Sequence, residues 1–260
     1  MHDLMSERVN AERLVVLGWS RAILLQLAHP LVAAGVADHS AFRAGGVTAV
    51  ARLHHTIRAM LALTFGDAAA RRAAIDGIRA IHRRVHGQLR ESVGVFPAGT
   101  PYSAEDPALV LWVHATLLES IPLVYDRIVA PLTPAERDRY CAEAADVAID
   151  LGARSEELPR TWTDTTAYLE RTYASGVIAV GSQARALAAM VLSPPYAWLT
   201  GPLARANRIV TAGLLPPAVR AQYGLDWDDG RDAQLSRTLR RLRVLRRVLP
   251  RHVAWWPEAR

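Results

Sequence analysis

The sequence predicts an all-α fold: one globular domain, residues 1–260, of about ten stacked helices. Three observations predict it. Apolar residues recur at helical spacing along nearly the whole chain, helix-capping signals punctuate that pattern, and β-branched alternating runs and Asn-Gly hairpins are scarce. The hydrophobic content of 51% can feed a sizeable core, and a charged content of 22% argues against wholesale disorder.

In chain order, the spacing predicts helices over 11–29, 31–38, 47–65, 68–90, 107–129, 134–151, 163–175, 177–192, 196–212, 217–223 and 229–249. The first two come from the apolar run Leu14 to Ala37, which Arg21, Gln26, His29 and Pro30 interrupt. Its longest uncharged stretch, Ala22 to Ala37, is shorter than the roughly 20 residues of a membrane span, so it reads as buried helix. The helix over 68–90 has Ile75, Ile78, His82, Val85 and Leu89 on one stripe. Next comes a long break, 91–107, whose length suggests a functional or lid-like loop. Asp106-Pro107 opens the following helix, which Pro122 should kink or end. Thr133-Pro134-Ala135-Glu136 is a capping box that starts another.

The last helix differs in character. Leu239, Leu242, Leu245, Val248 and Leu249 share a stripe, and seven arginines lie between Arg237 and Arg251, with "AWWP" following. Such a helix either docks its leucines on the body with its arginines in water, or makes peripheral contact with an anionic membrane through 229–256. The net charge of +6 is carried by arginine, with no lysine anywhere, and no nucleic-acid recognition motif accompanies it. The single cysteine, Cys141, excludes an internal disulfide and fits a reducing compartment. The charged N-terminus has no apolar core of a secretory signal, which together points to the cytoplasm.

The histidines carry the chemistry. Seven of the nine fall between residues 29 and 114: His29, His39, His54, His55, His82, His86 and His114. His82 sits in the middle of the apolar stripe of 68–90, with His86 one turn on at its flank. A buried imidazole needs a partner, which can be a backbone carbonyl, a metal or a haem iron. His-Glu-x-x-His and Glu-x-x-His repeats are absent, which removes support from zinc hydrolases and carboxylate-bridged di-iron enzymes. Gly-x-Ser-x-Gly and glycine-rich phosphate loops are absent too. A second polar cluster lies in "RLHHTIRAM", where Arg52 and Thr56 are one turn apart and His55 flanks them. If His82 holds an iron, this cluster has the chemistry for the opposite side: a guanidinium and a hydroxyl to bond oxygen, and an imidazole to move a proton or take the sixth position.

"LLQLAHPLVAAGVADHS", "ARLHHTIRAMLALTFG", "IHRRVHG", "YSAEDPALVLWVHATLLES", "PLTPAERDRYCAEA" and "ELPRT" come one after another here in the order found in the rubber oxygenase and MpaB-type oxygenase catalytic domains. The chain resembles that family, which includes the latex-clearing proteins, over about 14–195, leaving 196–260 as a C-terminal helical extension. The resemblance implies a globin-reminiscent helical pocket for haem b, one proximal histidine, and a distal Arg-x3-Thr pair that lands on Arg52 and Thr56. The proximal ligand falls on His82, with His86 as the alternative. A lysine precedes the threonine in latex-clearing proteins; His55 stands there here, so the iron could be held by two histidines. Their catalytic glutamate has no clear counterpart, with Asp38 or His39 as substitutes. His29 and His114 also match the pattern, in a structural role or against the cofactor. The activity implied by the resemblance is that of an oxygenase or related oxidoreductase that uses dioxygen or peroxide on an apolar organic substrate. The competing readings are a haem-binding redox carrier or gas sensor, and a helical protein whose histidines are structural.

Overall fold

The computed structural model describes residues 4–39, 47–192 and 201–260, and for 47–55 the backbone alone. Among the described residues the α-helices are α1 (Met5–Asn10), α2 (Val16–Leu27), α3 (Pro30–His39), α4 (Val47–Phe65), α5 (Ala68–His82), α6 (Pro107–Ile128), α7 (Pro134–Asp150), α8 (Trp162–Ala174), α9 (Ser182–Leu192), α10 (Gly201–Leu214), α11 (Pro217–Gln222), α12 (Asp229–Val248) and α13 (Arg251–Ala254). Two short strands, β1 (His86–Gln88) and β2 (Pro101–Ser103), pair antiparallel with Gly87 opposite Tyr102. The all-α expectation holds, and the chain forms one helical domain.

α2 and α6 lie against one another at the centre, and the rest is built on them: α10 and α9 on α2, α7, α8 and α12 on α6. Their close approach depends on Gly18. A Cβ there would stand 2.7 Å from the Ser120 carbonyl oxygen, closer than carbon and oxygen can pack. Leu24, Leu25, Trp112, Leu118 and Ile121 fill this centre. One charge is buried with them. Arg21, 2% exposed, donates to both Glu119 carboxylate oxygens (2.7 and 3.1 Å), to Ser120 Oγ and to the Leu214 carbonyl. Every arm of the guanidinium is thereby satisfied, as a charge in a core requires.

Caps appear where the sequence places them. Asp106 accepts from the Ala108 N–H, and Thr133 and Glu136 form the reciprocal capping box. Pro122 neither ends nor divides α6, which runs on to Ile128, because Ile121, Val124 and Tyr125 are buried around it and packing outweighs one lost backbone bond. α6 is also long and apolar enough to cross a membrane, but 72% of its apolar window is buried inside the protein. The run around residues 14–37 is instead two helices meeting at 105° at Ala28–His29.

Two expectations are corrected around residue 85. The helix expected over 68–90 stops at His82, and 86–88 becomes strand. Gly87 suits the strand: a Cβ there would lie 2.6 Å from the Tyr102 hydroxyl, so glycine leaves room for the tyrosine ring to lie over β1. The break over 91–107 is likewise no free lid. Residues 101–103 pair with β1, and Val93 and Phe96 bridge each other by two backbone bonds. The helix expected from 177 begins at Ser182, since Ile178 and Val180 are buried in extended chain that bonds back to Ala28. The start of the helix expected at 196 lies outside the described residues.

Candidate functional site

α5 supplies the first half of the candidate site. Asp67 caps it by accepting from the Ala70 N–H, and it packs on α4. Its stripe of Ile75, Ile78 and His82 is only half-buried, and no side chain of α5 is fully buried. His82 closes the helix. Its Nδ1 is shut off from solvent and has no hydrogen-bond partner. Burial lowers its pKa, against an opposing pull from the Glu105 carboxylate, so the ring is held neutral. Val85, next on the expected stripe, packs beside Gly35 of α3, where a Cβ would be 3.1 Å from its Cγ1.

His86 does not share a face with His82, because the helix has ended between them. It is exposed on β1, and its carbonyl accepts a hydrogen bond from His39 Nε2 at 3.0 Å. The i, i+4 pairing read from the sequence is therefore lost to the strand.

Two further imidazoles are enclosed. His114 on α6 has an Nε2 without partner or solvent, and burial pushes its pKa down to about 4. His29 sits at the α2–α3 corner, is 7% exposed, and is pushed down to about 4 by burial. Its Nδ1 accepts from the Leu31 N–H at 3.3 Å, and its ring lies against Phe96 with centroids 5.3 Å apart. His29 thus has a structural task in opening α3.

Asp38 and His39 end α3. The Asp38 carboxylate accepts from the Tyr102 hydroxyl at 2.9 Å and pairs with Arg90 at 2.7 Å. Burial, followed by the hydrogen bond to Asp38 and then its charge, raises the Tyr102 pKa to about 12. The three side chains tie α3 to β2 and to the segment after β1. Neither Tyr102 nor Arg90 stood out in the sequence, because only tertiary pairing joins them to Asp38. On α4, Thr56 is exposed and faces the unburied side of the helix, whereas Ile57 and Met60 pack toward α1 and α6. The side chains of Arg52, His54 and His55 lie outside the described residues, though the helix that carries them is present.

The profile of the family described as "ER-bound oxygenase mpaB/B'/Rubber oxygenase, catalytic domain" matches residues 7–247. The chain belongs to this family. The match runs through α12, beyond the 14–195 span that carried the motifs. Similar chains are the "Uncharacterized protein Mb2261" of Mycobacterium bovis and the "Uncharacterized protein Rv2237" of Mycobacterium tuberculosis, each 28% identical over 241 residues, 90% of this chain and 89% of theirs. No solved structure matches the chain. This mpaB/rubber oxygenase domain is thus an oxygenase catalytic domain by family, which implies dioxygen and a small-molecule substrate in general terms.

A haem asks the protein for an axial nitrogen and apolar walls, not a cage of ligands. Among the described residues no three His, Cys, Asp or Glu side chains group to hold a bare metal ion. What this oxygenase domain does offer is a neutral imidazole with an unsatisfied nitrogen, His82, on a helix whose apolar face is half-covered. His114 offers a second such nitrogen. These residues fit the group.

Proposed function

We propose that the protein is a haem b-dependent oxygenase acting on an apolar organic substrate, with His82 as the residue that would hold the haem iron. The observation that carries the reading is the buried, unpartnered Nδ1 of His82 at the end of α5, beside the helix that bears Arg52 and Thr56. Haem, when bound, supplies the activation of dioxygen or peroxide. The chain does the rest. Burial keeps the His82 ring neutral, the form that can donate a lone pair to iron. Ile75 and Ile78, half-exposed on the same stripe, are apolar wall that a flat ligand covers. Arg52 and Thr56, one turn apart in α4, would donate hydrogen bonds to the oxidant and so orient it for the substrate. His55 between them accepts or returns a proton. Asp38 is a weaker choice for that role, since Tyr102 and Arg90 already occupy its oxygens.

A second reading has one observation in its favour. The enclosed Nε2 of His114 is another neutral, unpartnered nitrogen, of the kind a haem-binding redox carrier would use to hold its group.

The test is reconstitution. The purified chain, titrated with hemin, should develop a Soret band at one haem per chain. His82→Ala should lose it, while His86→Ala keeps it. Reduced protein should bind carbon monoxide and consume dioxygen with an apolar substrate, and Arg52→Ala should slow that turnover at least tenfold without loss of haem. No Soret band in the wild type overturns the proposal, and a ferrous haem closed to carbon monoxide favours the carrier.

A further inference from the structure

α12 has two faces. One docks on the body: Leu235, Leu239 and Leu242 join Leu17, Val124 and Ile128 in a buried cluster. On the same side Arg243 donates to the Arg127 carbonyl, and Arg246 pairs with the buried Glu12 carboxylate. Among the described residues the opposite face has no partner. Val244 and Val248 stand on it 59% and 72% exposed, with Leu245 beside them at 45%. At helical spacing around the valines lie Arg237, Arg240, Arg241 and Arg247, all exposed. Residues 233–257 contain seven arginines and no Asp or Glu. Just beyond the helix, α13 adds Val253, 41% exposed, and Arg251.

We propose that this face of α12 docks on the surface of an anionic lipid bilayer. The argument is complementarity in both charge and polarity. Aliphatic side chains at the C-terminal end of the helix are short enough to reach only the headgroup boundary, and the arginines around them meet lipid phosphates. A nucleic acid fits less well. Base stacking asks for exposed aromatics, and the tryptophans nearby are committed elsewhere: Trp255 Nε1 donates to Glu12 at 2.8 Å, and the Arg13 guanidinium lies 5.3 Å over the Trp256 ring. A symmetric contact with a second copy would set arginine against arginine. The tryptophans that made the C-terminus look membrane-seeking in the sequence are thus not the contact; the valine and arginine stripe is.

The experiment is co-sedimentation of the full chain with vesicles, and it needs no haem, so its outcome is separate from that of the oxygenase proposal. Vesicles of phosphatidylcholine with about one-third phosphatidylglycerol should bind the protein, and pure phosphatidylcholine should not. Each arginine near an anionic surface is worth roughly fivefold in partitioning, so Arg240→Gln with Arg241→Gln should weaken binding about 25-fold. Val244→Asp with Val248→Asp should abolish it. Both variants change exposed side chains, so the melting temperature should stay within about 2 °C of wild type. Equal binding to both vesicles, or unweakened binding by the valine variant, overturns the proposal. So does tighter binding to duplex DNA than to the anionic vesicles, or a dimer that Val248→Asp dissolves.

Discussion

Replacing His82 by leucine should make the protein without haem more stable and the protein with haem less stable. His82 Nδ1 is cut off from water and bonds to nothing. A buried polar group in that state costs about 1–3 kcal/mol. The rest of the ring is half-exposed and Glu105 favours its charged form, so the lower end applies, about 1 kcal/mol. Leucine removes that penalty and extends the Ile75 and Ile78 stripe. For a chain of this size the gain is about 2–4 °C in melting temperature. With hemin at one hundred times its dissociation constant, the wild type gains about 2.7 kcal/mol and the variant gains nothing. The two proteins should therefore exchange rank in differential scanning fluorimetry run with and without hemin. A leucine variant that melts below wild type without hemin would mean that His82 has a structural partner. An equal hemin shift in both would place the ligand elsewhere. Either result refutes the reasoning.

Further outcomes rest on the same contacts. Glu119→Ala leaves the buried Arg21 guanidinium without its carboxylate and should destabilise by about 3–5 kcal/mol, with Arg21→Met plus Glu119→Leu recovering most of it in urea unfolding; a double variant no better than the single would show that the charge is not the cause. His29 and His114, both pushed down to about 4, stay neutral in the fold while the unfolded chain protonates near 6.5. Their stabilisation is therefore present above pH 6.5 and lost as pH falls toward 4, by about 2 kcal/mol each at pH 5; His114→Leu should flatten that slope by about half, and an unchanged slope would remove His114 from the account. Gly18→Ala forces α2 away from the Ser120 carbonyl and should destabilise by about 1–3 kcal/mol despite alanine's better helix propensity, as measured by thermal melting.

Much of the fold was readable from local rules. Helical periodicity, the Asp106 and Thr133 caps and the lack of strand patterns led to α2, α3, α4, α6, α7 and α8 within a few residues. The failures came where distant residues decide. The residues of β1 have no strand signal of their own; they pair where Gly87 leaves room for the Tyr102 ring from the far side of a long connection. Pro122 reads as a helix breaker until its buried neighbours are known. For the candidate site, His82 was identifiable because it falls on an apolar stripe, yet its separation from His86 was not, since that depends on where α5 ends. The ties that hold Asp38 link three segments and leave no sequence pattern.

The sequence by itself determined the helical class, the oxygenase family and the histidines worth testing, because those rest on periodicity, capping and ordered motifs that each segment carries within itself. Only the tertiary structure decided which nitrogens are unsatisfied, which carboxylates are already engaged, and which face of the C-terminal helix is left outward. Burial and hydrogen bonding belong to pairs of segments far apart in the chain. Leu242 docks and Val248 does not because they lie on different faces of α12, and α6 and α10 pack against only one of those faces.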